Sequence, residues 1–250
     1  MKRLFISYAH AGGTNVAEWL YGRLTGAGYI VWKDDRSLPL GASFAEEISN
    51  RIGEQDHVLI LVSGAALQSQ WVQFELNLAE TARQRIIPIL IEPVEDERLP
   101  LNLRMRYCLR LDEDEGMALH RLVNHLDGSS IPRIVNLSGH TSLRVKNGLI
   151  LKEAPFRHVK LADPDEITAY GVELARLALP YIQDANAGIV PPGLASLACV
   201  TLAYLAGARN DMPKMFAPHS NEQEPFQIDG ARPISLRDVR HSGFQDRSNL

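Results

Sequence analysis

His57-Val58-Leu59-Ile60-Leu61-Val62 decides the reading of this chain of 250 residues. The run is apolar after its first residue and lacks the alternation of a strand with one wet face. That pattern is expected of a strand buried on both sides, as in a parallel sheet covered by helices. Upstream, Leu4-Phe5-Ile6-Ser7 is a second short apolar run, and Tyr29-Ile30-Val31-Trp32 is rich in strand formers. Downstream, Ile86–Ile91 repeats the pattern with Pro88 inside it, and Tyr107–Leu111 is a weaker fifth strand. Between these runs Val16, Leu20 and Leu24 recur at helical spacing, as do Phe44, Ile48 and Ile52, and Trp71, Phe74 and Leu78. Gly26 and Gly28 end the first helix, and Met117–Leu126 is a closing helix. Strands separated by helices predict an α/β domain with a parallel sheet over residues 1–127.

A second α/β pattern follows the linker Asp127-Gly128-Ser129-Ser130. Ile134-Val135-Asn136-Leu137 reads as a strand, Ser138-Gly139-His140 as a turn and His158–Leu161 as another strand. Asp163-Pro164-Asp165-Glu166 starts a helix, with acids in its first turn and a proline near its beginning. Ile167, Tyr170, Leu174, Leu177, Ala178 and Tyr181 share one face of it. Pro191-Pro192-Gly193 introduces a further helix, Leu194–Leu205, which Gly207 is expected to end, and Met212–Phe216 reads as a last strand. Residues 128–217 thus form a smaller Rossmann-like α/β domain, and 218–250 are expected to be a polar C-terminal tail or lightly packed arm.

Composition narrows the function. Apolar residues make up 45% of the chain, enough for a real core, and the formal charge is −4. A general nucleic-acid binder is expected to carry a basic excess instead, so no long nucleic acid is expected as partner. Cys108 and Cys199 lie in apolar runs and read as buried thiols of a reducing compartment. No signal peptide is expected before the first strand, and no apolar stretch reaches the ~18–20 residues that cross a bilayer. The expectation is a cytoplasmic protein without membrane contact. Asp34 and Asp35, with no further clustered ligand, make a poor metal site, so no metal is expected.

Five motifs occur in order. Phe5-Ile6-Ser7-Tyr8-Ala9-His10 resembles the opening strand and first loop of TIR domains. Trp32-Lys33-Asp34-Asp35, followed by Leu38 and Gly41, resembles their second strand and the loop after it. Asp56 to Ser63 resembles the third strand, Ser69-Gln70-Trp71 with Glu75 the helix of the catalytic glutamate, and Ile87-Pro88-Ile89 the fourth strand. The resemblance is to the bacterial, NAD-cleaving type and spans about residues 2–127. It implies a flavodoxin-like fold and cleavage of NAD+ between nicotinamide and ribose, sometimes with cyclisation of ADP-ribose. It also implies assembly with neighbouring TIR domains to complete the site. NAD+ is then substrate, and no cofactor is implied.

The residues agree with that chemistry. Ligands of open parallel sheets sit outside the carboxyl ends of the strands. The loops at 8–14 and 33–43 and the helix near 69–75 lie at that edge. Trp71 and Glu75, four apart, share a helical face, so the indole can shield a cleft into which the carboxylate points. Breaking an N-glycosidic bond builds positive charge on the ribose, which a carboxylate stabilises. Glu75 is the candidate catalytic residue, and Tyr8, Ala9, His10, Trp32, Asp35 and Trp71 are candidate substrate-binding residues. Backbone N–H groups near Ser7–Thr14 are candidates for the diphosphate. The polar segment Asp34 to Ser43, with Pro39 and Gly41, suits an exposed contact between TIR domains.

In the second domain both Ser138-Gly139-His140 and Pro192-Gly193-Leu194-Ala195-Ser196 put small or polar groups where strands end and helices begin. Such places bind phosphates. Residues 131–217 resemble a CRISPR-associated Rossmann (CARF) nucleotide-sensing domain. That resemblance implies a cyclic oligoadenylate second messenger at Ser138, Gly139, His140, Gly193, Leu194 and Ser196, with His140 and Lys146 as phosphate contacts. Free backbone N–H groups are expected at both turns. The whole then reads as an antiviral effector whose ligand drives dimers and higher assemblies that hydrolyse NAD+. The alternatives are a TIR enzyme making a cyclic ADP-ribose signal and a non-catalytic TIR adaptor. For the second domain, the other reading is a packing or dimerisation module.

Overall fold

A computed structural model describes residues 2–33, 44–127, 131–140, 143–160, 163–218 and 227–239. The chain divides into two compact units, Met1–Leu126 and Asp127–Leu250, so the boundary falls at the start of the expected linker.

The first unit runs β1 (Arg3–Ser7), α1 (His10–Gly26), β2 (Ile30–Lys33), α2 (Phe44–Gly53), β3 (His57–Val62), α3 (Gly64–Gln68), α4 (Gln70–Thr81), β4 (Arg85–Leu90), α5 (Leu101–Arg104), β5 (Leu109–Arg110) and α6 (Glu115–Asp127). The strand order is β2-β1-β3-β4-β5 and every pairing is parallel. This is the flavodoxin-like arrangement. All six residues of β3 are buried. Val58, Ile60 and Val62 pack with Phe5 of β1, Ile48 and Ile52 of α2, and Val72, Leu76 and Ala79 of α4. Each buried aliphatic side chain of this kind contributes about 1.5–3 kcal/mol. Because the strands are parallel, Ser7, Lys33, Val62 and Leu90 all end at one edge of the sheet.

Two serines set the helices at that edge. Ser63 caps α3 by accepting from the Ala66 N–H at 3.1 Å. Ser69 then stands in extended backbone between α3 and α4 and accepts from the Val72 N–H at 3.3 Å. The break restarts the helical phase, so Trp71 and Glu75 turn toward the sheet.

The second unit runs β6 (Arg133–Asn136), β7 (Arg144–Lys146), β8 (Leu149–Glu153), α7 (Pro164–Ala178), β9 (Ala187–Val190), α8 (Ala195–Arg209), β10 (Lys214–Met215), β11 (Gln227–Asp229) and β12 (Ile234–Ser235). Its sheet has the order β12-β10-β9-β6-β8. β8, β6, β9 and β10 are parallel, and β12 closes the edge antiparallel to β10. A separate two-stranded sheet joins β11 to β7. The helices approach closely: a Cβ on Gly171 of α7 would lie 2.6 Å from Val200 Cγ1 of α8. The Thr201 hydroxyl donates to the Gly171 carbonyl at 3.2 Å.

Several expectations need correction. His158–Val159-Lys160 is not a strand; the strand before it is β8, and 154–160 follow it without regular structure. Gly207 does not stop α8, which runs to Arg209 and ends at Asn210 in left-handed backbone (φ 52°). A helical glycine costs only ~1 kcal/mol relative to alanine, which packing overrides. The chain after Pro218 is not simply a tail, because 227–229 and 234–235 are strands. Ile228 is buried in the core with Ile134, Val190 and Phe216, and backbone pairing supplies what the polar sequence conceals. Cys199 is exposed and Cys108 half-buried against the core of the first unit, both as free thiols, so neither is the fully buried thiol expected. Among the described residues no helix is long and apolar enough to cross a membrane.

Candidate functional sites

The first site forms where β1 ends beside α4. Glu75 has no exposed surface. The Ser7 hydroxyl donates to its Oε2 at 2.5 Å, and the Trp71 indole N–H donates to its Oε1 at 3.0 Å. Ser7 is also fully buried. A buried carboxylate is strongly disfavoured unless donors compensate it, and charge-assisted hydrogen bonds of this kind are the strong ones. The two donors fix the carboxylate in place and in plane.

The structure brings most of the sequence-derived candidates to this edge, with differences. Tyr8 and Ala9 follow β1 but are buried, and His10 is exposed. The Tyr8 and His10 rings lie 5.1 Å apart. Gly13 is placed so that a Cβ would meet Tyr8 at 3.3 Å. α1 begins with no side-chain cap, and Ala11 and Gly12 leave helical backbone. Trp32, at the end of β2, is half-buried; it stacks on Phe5 at 5.8 Å and carries the Arg51 guanidinium 4.0 Å over its ring. Trp71 does more than shield: it bonds the carboxylate directly, and Glu75 does not point into an open cleft. Asp35 and the segment Asp34 to Ser43 lie outside the described residues. The sequence reading points to backbone N–H groups near Ser7 but not to the Ser7 hydroxyl, although its place at the carboxyl end of a central strand is a usable signal. Among the described residues no group of three or more His, Cys, Asp or Glu is arranged to hold a metal ion.

The second site is a cleft of about 370 Å³ within the second unit. Ser138, Gly139, His140, Gly193 and Leu194 all line it, as do Phe156, Arg157 and His158 from the segment after β8. Ser196 does not line it; it is exposed on the first turn of α8. Lys146 sits in β7, paired in register with Asp229 of β11, and does not line it either. β6, β8 and β9 present their carboxyl ends here. β6 leads toward β8 on one side and β9 toward β10 on the other, so the cleft sits at a switch point of the sheet.

The turn at 138–140 is not a set of free N–H groups. The Asn136 carboxamide oxygen accepts from the Ser138 N–H at 3.1 Å and from its hydroxyl at 2.6 Å. The Ser138 hydroxyl oxygen accepts from the His140 N–H at 3.3 Å. Asn136 also donates to the His140 carbonyl at 2.8 Å and to Glu153 at 3.2 Å. A short polar side chain at a strand end takes nearby amides in this way, and the result is a rigid turn. The other turn differs: Leu194 gives α8 no side-chain cap, and a Cβ on Gly193 would meet nothing within 4 Å. Burial first, then the Glu173 carboxylate, holds the Tyr170 phenol above its usual range. It stays a neutral donor, to the Pro155 carbonyl at 3.2 Å.

Comparison with known proteins bears on the first unit. The family model described as TIR domain matches residues 4–123. The stimulator of interferon genes protein of Magallana gigas is 28% identical over 115 residues, 44% of this chain and 28% of that protein. The NAD(+) hydrolase PdTIR of Paracoccus denitrificans is 33% identical over 98 residues, 38% of this chain and 33% of the other. The 2' cyclic ADP-D-ribose synthase BtTIR of Bacteroides thetaiotaomicron is 27% identical over 100 residues, 38% of this chain and 34% of the other. The chain thus matches about a third of the length of these relatives. Among solved structures, the TIR domain of the Toll-related receptor TRR-2 from Hydra magnipapillata superposes with a TM-score of 0.44 at 22% identity, covering 50% of this chain and 98% of that one. The first unit of the chain, with its five parallel strands and the family match over residues 4–123, is a TIR domain.

Proposed function

We propose that the first unit cleaves NAD+ at the bond between nicotinamide and ribose, with Glu75 as the catalytic carboxylate. The observation that carries this is a fully buried carboxylate held by Ser7 and Trp71 at the carboxyl edge of a parallel sheet. As nicotinamide leaves, positive charge develops on the ribose ring. A fixed carboxylate in a water-poor site stabilises that charge without reorganising, the kind of effect that dominates such catalysis. A carboxylate with no exposed surface touches substrate only after a neighbour moves. Trp71 is the neighbour whose indole bonds it, so ribose hydroxyls replace the indole N–H as substrate enters. Self-association of TIR domains is the event we assign to that opening.

Two relatives support this chemistry by their names, one a hydrolase of NAD+ and the other a cyclic ADP-ribose synthase. Both reactions break the same bond. They differ in whether water or a hydroxyl of ADP-ribose captures the ribose carbon. We take hydrolysis to nicotinamide and ADP-ribose as the main reading and cyclisation as the second. The buried Glu75, bonded by Ser7 and Trp71, argues against a non-catalytic adaptor. Beyond the chemistry, we propose a cytoplasmic antiviral effector of the CRISPR-associated type, switched by a cyclic oligoadenylate in the cleft of the second unit. The test is incubation of the full chain with NAD+, alone and with cyclic tri-, tetra- and hexa-adenylate, with products read by mass spectrometry. Nicotinamide with linear ADP-ribose supports the main reading and nicotinamide with a cyclic product the second. Intact NAD+ under every condition overturns both.

A further inference from the structure

We infer that the cleft of the second unit binds a nucleotide, with the base against Phe156 and the phosphate between His140, Arg157 and the start of α8. This deepens the reading of the second unit as a switch by naming the side chains and the ligand chemistry. Four features of the cleft carry it. Its volume, about 370 Å³, falls in the range of small-molecule sites, ~300–1,000 Å³. Its place at the switch point of the sheet is where open α/β sheets receive ligands.

Its charge is the third feature. The chain as a whole is acidic, at −4, yet among the described residues no aspartate or glutamate lines the cleft, while Arg157 does, with the imidazoles of His140 and His158 as further polar groups. Arg157 is held by Glu173 at 3.1 Å, with both side chains about half exposed or more. A surface pair of that kind is worth only ~0–1 kcal/mol, so a phosphate can take the guanidinium at little cost. The first-turn amides of α8, uncapped by Leu194, face the same space beside Gly193 and add a partial positive charge.

The fourth feature is Phe156, an aromatic ring 67% exposed at a cleft whose other apolar lining is largely aliphatic, with Leu137, Leu174, Leu194 and Leu197. The edge-on His158 ring, 4.9 Å away, holds its orientation. Gly139 (φ 78°) lets the opposite turn approach, since a Cβ there would come within 3.2 Å of the Phe156 ring. An exposed, oriented aromatic next to a guanidinium fits a ligand that is flat at one end and anionic at the other. Stacking of a base on such a ring is worth ~1–3 kcal/mol.

The experiment is calorimetry on the full chain with four probes: AMP, cyclic tetra-adenylate, adenosine and inorganic phosphate. Phe156→Ala, Arg157→Ala and Gly193→Glu are run beside the wild type. All three positions are exposed or open, so folding is expected to survive and is checked by the melting curve. At least one of the two nucleotides is expected to bind at least tenfold more tightly than adenosine or phosphate alone. Phe156→Ala and Arg157→Ala each weaken it about tenfold, and Gly193→Glu abolishes it. The site is overturned if neither nucleotide binds, if adenosine binds as tightly as both, or if folded Phe156→Ala and Gly193→Glu bind as the wild type does. NAD+ turnover is followed in the same samples. Binding without a change in turnover keeps the site and removes its role as a switch, whereas turnover without binding keeps the enzyme and removes the site.

Discussion

Replacing Ser7 by alanine removes one of the donors that hold Glu75 and tests whether that contact serves catalysis. The Ser7 hydroxyl lies 2.5 Å from Glu75 Oε2, and both groups are fully buried. A hydrogen bond to a buried charged group is worth ~1.5–3 kcal/mol. At ~1.4 kcal/mol per tenfold in rate, Ser7→Ala should lower kcat for nicotinamide release by about 10- to 100-fold. KM should stay within about threefold, because the hydroxyl is committed to Glu75 rather than to substrate. Ser7→Thr keeps the hydroxyl and should recover most of the rate, although its extra methyl costs ~1–3 kcal/mol of stability in a packed site. Ser7 is thus a positioning residue. Folding of this unit can be followed separately, because all three tryptophans, Trp19, Trp32 and Trp71, belong to it. A folded Ser7→Ala enzyme with unchanged kcat, or one in which KM alone rises, would show that Ser7 does not position Glu75 for catalysis.

Further outcomes follow from other contacts. Trp71→Phe keeps a ring but loses the N–H at 3.0 Å from Glu75 and should slow turnover several-fold, checked by nicotinamide release, while Trp71→Ala also lowers the melting temperature. His57, buried at the start of β3, is held down to about 4 from 6.5, by burial first and then by the Lys2, Arg85 and His125 charges, against the pull of Asp56. The folded state therefore favours neutral His57, so this stability is complete above pH 6.5 and is lost as pH falls through about 4. The gap corresponds to roughly 3 kcal/mol. Urea titrations by tryptophan fluorescence at pH 7.5 and 4 should show a smaller loss for His57→Gln than for wild type; equal losses would count against His57. Gly188→Ala should destabilise the second unit by at least ~2 kcal/mol, since its Cβ would lie 2.5 Å from the Lys214 carbonyl. Calorimetric unfolding should show that loss while the tryptophan signal stays unchanged.

The first unit was legible because its signals are local. The short, β-branched apolar run at 57–62 fits a doubly covered strand, and the four-residue spacing of Trp71 and Glu75 puts them on one helical face. What the sequence could not show was Ser7 against Glu75, a contact across 68 positions that depends on β1 lying next to β3 with α4 over them. The direct indole–carboxylate bond likewise depends on rotamers. In the second unit the strands were harder to read for physical reasons. β9 is Ala-Gly-Ile-Val, weak by propensity, because its glycine must admit the Lys214 carbonyl. β11 and β12 are polar and are recruited by backbone pairing. Both cleft turns at 138–140 and 192–194 were found from the sequence. The segment after β8, with Phe156 and Arg157, was not, because it was read as leading into a strand at His158.

Whether Glu75 carries NAD+ cleavage is decided by Glu75→Gln. Glutamine keeps the shape and can still meet both Ser7 and Trp71, but it removes the charge that stabilises the ribose cation. With folding verified by the tryptophan signal, wild type and variant are incubated with NAD+ under the same conditions, and released nicotinamide is measured. The wild type should release nicotinamide, and the folded variant should lose nearly all turnover. A folded Glu75→Gln protein that releases nicotinamide at the wild-type rate would remove Glu75 from the chemistry.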